Sequence, residues 1–124
     1  MVEVIPQDVR QFVLEYIDSI AQLEALLLLR AQPQTEWSAA ALAENIYVSK
    51  AEAEVIFKQL TTQGFLIDET GRYRYRPASS ELEQITGRTA ELYRQYLIPM
   101  TNLIHAKSKS RIQQFADAFM LRKD

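Results

Sequence analysis

The chain has 124 residues, 48% apolar and 24% charged, the balance of one ordinary globular domain with enough length to bury a core. It has no cysteine, which excludes disulfides, thiolate nucleophiles and cysteine-based zinc sites, and suits a reducing compartment. The formal net charge is −2, against the basic excess expected of a dedicated nucleic-acid binder. The charge is uneven: residues 1–62 hold 4 Lys/Arg and 9 Asp/Glu, a net of −5, and residues 63–124 hold 10 and 7, a net of +3. The first residues show no signal-peptide pattern, and the longest apolar run, Ala25 to Leu29, is far short of a span. A soluble, cytoplasmic protein with no membrane partner is expected.

In chain order, Asp8 to Ala31 reads as helix. Val9, Phe12, Val13, Tyr16, Ile17, Ile20, Leu23, Leu26 and Leu27 follow the three-and-four spacing of one buried stripe. Asp18-Ser19 marks either a kink or a break between two helices. Thr35-Glu36-Trp37 is short and β-prone, with Trp37 expected to be buried beside the later hairpin. Ser38 is an N-cap for a short helix, Ala39 to Asn45, and Ser49 caps another that runs to about Gln63. Glu52, three residues after Ser49, completes a capping box. Ala53, Ile56, Phe57 and Leu60 form the buried face of that second helix, and Gly64 ends it.

Phe65 to Ile67 is a strand, Asp68 to Gly71 a turn, and Arg72 to Arg76 the return strand. Its alternation puts Arg72, Arg74 and Arg76 on one face and Tyr73 and Tyr75 on the other. Glu81 to Leu97 is helical, with Leu82, Ile85, Leu92, Tyr93 and Tyr96 spaced for burial, weakened by Gly87 and kinked after its end by Pro99. Lys107 to Ser110 reads as a polar break. A last helix, Arg111 to Leu121, would bury Ile112, Phe115, Phe119 and Met120, with Arg122 and Lys123 at its C-terminal dipole.

Helix, short strand, helix, turn, helix, hairpin is the order of a winged helix. The expected fold is mainly α with a small β-hairpin wing: a winged helix-turn-helix over 19–77, an N-terminal helical extension over 8–18 and C-terminal helices over 80–121, in one domain. The segment LEALLLLRAQPQTEWSAAALAENIYVSKAEAEVIFKQLTTQGFLIDETGRYRYRP resembles the winged helices of bacterial regulators of the MarR family. The resemblance covers about half the chain. It implies DNA binding and a dimer formed through the helices that flank the winged core.

No catalytic constellation is legible. His105 is a lone histidine, the three glycines are scattered, and the pairs Glu52/Glu54 and Glu81/Glu83 stand two apart, so each pair splits between helix faces. No enzyme activity, cofactor or metal is expected. For DNA, the helix after the turn is the reader. Lys50, Lys58 and Gln59 are its candidate contacts, yet Glu52 and Glu54 stand at its leading end and it holds no arginine. The exposed set includes Ser49, Thr61, Thr62 and Gln63 as well. Arg72, Arg74 and Arg76 either track the backbone or enter the minor groove, or they merely guard an edge strand against aggregation. Lys107, Lys109 and Arg111 either add phosphate contacts or form a solvated linker. The expected function is a dimeric DNA-binding regulator; the alternative is a winged helix that binds a protein partner. A ligand pocket between core and flanking helices is compatible with this architecture, without named residues.

Overall fold

A computed structural model describes residues 4–121, the last three by backbone alone. The elements are α1 (Gln7–Tyr16), α2 (Ile20–Ala31), α3 (Ala39–Ile46), α4 (Lys50–Thr62), β1 (Leu66–Glu69), β2 (Arg72–Tyr75), α5 (Ser80–Gln95) and α6 (Leu97–Leu121). Serines start four of the helices. Ser19, Ser38, Ser49 and Ser79 each accept, through the hydroxyl, the N–H of the residue three further on. Each such cap stabilises its helix by about 1 kcal/mol and fixes where the chain turns.

The segment 8–31 is two helices. Ile17 is extended (φ −103°, ψ 118°), and Ser19 caps α2. The freed backbone groups are taken up by side chains, as burial requires. Gln22, fully buried, accepts the Asp18 N–H at 2.7 Å and donates to the Tyr16 carbonyl at 2.9 Å. Gln63 donates to the same carbonyl at 2.9 Å, so the end of α4 is fastened to the break. Gln63, expected on the exposed face, therefore has an internal role. Thr61 likewise donates to Phe57 O.

The break expected at Lys107 to Ser110 does not exist: α6 is continuous through it. Lys107 Nζ donates to Ile17 O at 2.7 Å and pairs with Asp18 at 3.0 Å, its side chain only 8% exposed. Ser108 donates to Asp18 O, and Arg111 reaches Asp18 Oδ1 at 2.7 Å. A cation at the C-terminal end of α1 meets its unsatisfied carbonyls and the negative end of its dipole. Lys107 and Arg111 thus do not belong to a linker, and Lys107 is buried away from any phosphate; polar composition signalled a loop where it marked a helix cap supplied from another helix.

Pro99 does not kink one helix. α5 ends at Gln95, Tyr96 leaves helical geometry, and Pro99 stands in the first turn of α6, where no N–H is required. The burial expected on α5 also differs. Its fully buried residues are Thr86 and Thr89, which donate to Leu82 O and Ile85 O; Leu82, Ile85, Leu92 and Tyr93 pack at the edge of the core, and Tyr96 is exposed. Gly87 has a packing reason: a Cβ there would stand 2.7 Å from Arg30 Nη2. Arg30 crosses it to make a two-pronged contact with Glu83 at 3.2 and 2.9 Å, and Tyr75 donates to Glu83 at 2.6 Å. The Arg30 hydrogen bond holds the Glu83 carboxyl below its usual range, and burial, then the Glu83 contact, push the Tyr75 phenol up.

One core joins these parts. Leu23, Leu26 and Leu29 of α2 meet Leu42, Phe57 and Leu60 of the helix-turn-helix, together with Val9 and Val13 of α1 and Met100 and Ile104 of α6. Phe65 stands edge-on to both Phe12 and Tyr16, at 5.9 and 5.8 Å. Ile112 and Phe115 are not part of it: they are 69% and 74% exposed. The expected burial of Phe119 and Met120, and the dipole contacts of Arg122 and Lys123, fall outside the described side chains.

Two substitutions test this account. Lys107→Met, which keeps the stem and removes the charge, is expected to cost about 2–3 kcal/mol in urea denaturation, because two carbonyls and Asp18 lose a charged donor; Lys109→Met, at an exposed position, should stay within about 0.5 kcal/mol. Equal effects would refute the capping role. Tyr47 closes α3 in the left-handed region (φ 59°, ψ 47°) with 93% of its surface exposed. Tyr47→Gly should therefore raise stability by about 0.5–1 kcal/mol in the same assay; a clear loss would mean that the ring supports the fold.

Candidate nucleic-acid interface

The helix-turn-helix is α3, the turn 47–49 and α4. Tyr47 supplies the reversal, and Val48 N–H returns to Ala43 O. Ala53, Ile56, Phe57 and Leu60 seat α4 on the core. That phase turns Lys50, Ala51, Glu54, Val55, Lys58 and Thr62 outward, all exposed, with Glu52 beside them and Gln59 half-buried.

The wing is held rigidly against this helix. Glu69 pairs with Arg72 across a two-residue turn in which Thr70 (φ 55°) and Gly71 (φ 86°) both have positive φ, the twist that suits a hairpin. Asp68 Oδ1 accepts the Gly71 N–H at 2.9 Å. Tyr73 stacks on Phe57 of α4 with centroids 4.2 Å apart and planes 10° apart. Trp37 bridges to the other side of Tyr73 through two backbone hydrogen bonds of 2.7 and 2.9 Å and is 7% exposed, as expected of it. Burial, then the charges of Asp68 and Glu54, push the Tyr73 phenol up.

The three wing arginines are not equivalent. Arg72 and Arg76 are exposed, while Arg74 is half-buried and bonded to Glu69 Oε1 at 3.1 and 2.9 Å. A similar division runs through the described residues. Arg30, Arg74, Arg88, Arg94, Lys107 and Arg111 pair with Glu83, Glu69, Asp8, Glu91 and Asp18, the last shared by two cations. Among the described residues, Lys50, Lys58, Arg72, Arg76 and Lys109 have no such partner, and all but Lys109 belong to α4 or the wing. The unpaired positive charge gathers at the helix-turn-helix although the chain as a whole is acidic.

Val55 is the outward residue that the sequence reading missed. Valine is ordinarily assigned to a core, but Ala53, Ile56, Phe57 and Leu60 already define the buried face, and position 55 falls opposite it. The signal was the phase of the helix, not the residue type.

Away from this face, every described side chain of α6 from Lys109 to Ala118 is exposed, Ile112 and Phe115 included. Ile98 and Leu97, at the other end of α6, are 66% and 49% exposed. An open cleft of about 460 Å³ lies between α1 and α5, with Phe12, Tyr16, Leu82 and Ile85 among its lining. Its rim carries Asp8, Glu15 and Glu81. His105 is exposed on α6, and the described residues contain no group of three or more His, Cys, Asp or Glu able to hold a metal. No helix among them is long and apolar enough to cross a membrane.

No protein-family model matches this sequence, and no curated protein does. Among solved structures, the multiple antibiotic-resistance repressor (MarR) from Listeria monocytogenes is similar, with a TM-score of 0.52 over 94% of this chain and 82% of that one. The two share 16% sequence identity, so the likeness is one of fold. With six helices and one antiparallel hairpin among the described residues, the chain has the winged-helix fold seen in that MarR repressor.

Proposed function

We propose that the chain is a winged-helix transcriptional regulator that binds double-stranded DNA as a homodimer. The observation that carries this reading is the division of cations: among the described residues Arg30, Arg88, Arg94, Lys107 and Arg111 of the body are paired with carboxylates, and, Lys109 apart, the cations without such a pair are Lys50, Lys58, Arg72 and Arg76 on the helix-turn-helix and wing. Phosphate neutralisation is the sequence-independent part of DNA binding, and it needs charges that are not already engaged. In this reading α4 enters the major groove, with Lys58 and Gln59 near base edges and Lys50 at its leading end. Arg72 and Arg76 lie on the backbone or in the minor groove, and Arg74 mainly shapes the wing. The wing and α4 act as one body because Tyr73 is stacked on Phe57. The fold neighbour is named as a repressor, which agrees with this reading.

The dimer rests on α6. A helix of 25 residues is about 37 Å long, and its C-terminal part has no cover from the rest of the chain. A lone helical segment of that length is marginal in water, and Ile112 and Phe115 are the apolar contacts a second copy would bury. Residues 19–77 then serve as the DNA-contacting core, and the flanking helices as the dimer-forming part of a single domain. The site of action is the cytoplasm, beside the DNA.

A second reading, contact with a protein partner, is favoured by Glu52 and Glu54 at the leading end of α4 and by the exposed Tyr47 ring next to them. Fluorescence anisotropy with mixed-sequence duplex separates the two. Binding that weakens steeply with salt is expected. Arg72→Ala with Arg76→Ala should reduce the slope of log K against log salt by about 2, one phosphate contact each, whereas Arg74→Ala should change it little. An unchanged slope in the double variant would remove the wing from the interface, and absence of binding at low salt would select the protein reading. For the dimer, Ile112→Ser with Phe115→Ser should shift a wild-type dimer to monomer in sedimentation equilibrium; a monomeric wild type would refute it.

A further inference from the structure

The outward stripe of α4 is not uniformly polar. Ala51 and Val55 are one helical turn apart, and Thr62 lies near the same line two turns later, so three methyl-bearing side chains face solvent. Val55 is 56% exposed. The buried face of α4 is complete without it, although it borders an open cleft with Asp18, Lys58, Gln59, Thr62 and Gln63, and a β-branched residue on an exposed helical surface lowers helix propensity. Single exposed apolar residues are common on proteins. Val55 differs in its setting, because Lys50 and Lys58, both without an internal carboxylate partner, flank it on the same exposed surface, and the wing is fastened to the same helix.

A surface that sets Lys50 and Lys58 around small methyl groups, with Glu52 and Glu54 beside them, has a fitting occupant in DNA. The DNA major groove lines its walls with phosphates, and its floor carries the C5-methyl group of each thymine, a natural apolar contact for small aliphatic side chains. We infer that Val55, with Ala51, is the specificity-determining contact of α4 and packs on thymine methyl groups, so that the preferred half-site carries thymine opposite the middle of this helix. The inference rests on the DNA-binding reading above. Lys50 and Lys58 then hold the helix in register through the phosphates without choosing the base.

The test uses the full chain and removes only the methyl group. A preferred duplex is first selected from a random pool; each thymine in it is then replaced in turn by deoxyuridine, which differs by the C5-methyl alone. At one or two thymines per half-site, wild-type affinity should fall about fourfold, the loss of one buried methyl contact. Val55→Ala should bind the thymine duplex more weakly, and should no longer distinguish thymine from deoxyuridine at those positions. Val55→Ile should keep the discrimination. Equal wild-type binding to every deoxyuridine duplex, with salt-dependent binding intact, would overturn the methyl contact and leave DNA binding standing. A Val55→Ala variant that still discriminates would assign the contact to another residue and overturn the role of Val55. Failure to enrich or bind any duplex at low salt would remove the DNA reading, and this inference with it.

Discussion

The arrangement depends on how the chain is held where it leaves α1. Three consecutive residues, Ile17, Asp18 and Ser19, break the helical course, and a buried break exposes backbone groups that water cannot reach. Four side chains from three different elements answer it. Gln22 and Gln63 meet Tyr16 O, Gln22 also receives Asp18 N–H, and Lys107 and Ser108 close on the carbonyls of Ile17 and Asp18. Each contact fixes an element relative to α1: the end of α4 through Gln63, the middle of α6 through Lys107. The end of α4 and the middle of α6 are therefore both fastened at this one point.

The ion pairs have a second consequence. A protein with a net charge of −2 makes a poor electrostatic target for DNA as a whole. What matters within a Debye length, about 8–10 Å at moderate salt, is the local set of charges. Six cations on the body and wing are held against carboxylates, which also removes those carboxylates from the long-range field. The four that remain on α4 and the wing face Glu52, Glu54 and Asp68 as their exposed acidic neighbours. The face is mixed, not strongly basic.

The sequence made much of this architecture legible because its punctuation is local. Ser38, Ser49, Gly64 and the hairpin residues Thr70-Gly71 each specify backbone geometry within three or four residues, and the structure has a cap, a helix end or a turn at each, although Ser49 caps α4 without the return bond from Glu52 that a capping box would add. What failed was non-local. The polar run at Lys107 looks like a linker by composition; its partners Ile17 and Asp18 lie some 90 residues away in the chain. Pro99 shows that a helix is interrupted, but not whether it bends or restarts. Gly87 looks like a weak point until Arg30 is seen to cross it. At the interface the arginine alternation of β2 was readable, but not that Glu69 would claim Arg74 and leave Arg72 and Arg76 unpaired. Apolar periodicity also cannot distinguish a stripe covered by its own chain from one left exposed, as Ile112 and Phe115 are.

The wing and the terminal helices are linked through α5. Near one end, Glu83 receives Arg30 of α2 and Tyr75 of the wing strand; near the other, Tyr93 donates to Glu24 of α2 at 2.9 Å. Burial and the Glu24 contact push the Tyr93 phenol up to about 12, so it stays a donor across the physiological range. These are polar contacts with directional geometry, unlike the aliphatic core beneath, and hydrogen-bonded groups resist sliding where packed methyls tolerate it. α5 is thus pinned to the winged core near both ends, and Tyr75 stands on the same strand as Arg72, with Arg76 immediately after it. A shift of α5 against α2 has to move that strand or break the Glu83 contacts. The cleft between α1 and α5 opens beside this joint, with Leu82 and Ile85 of α5 in its wall.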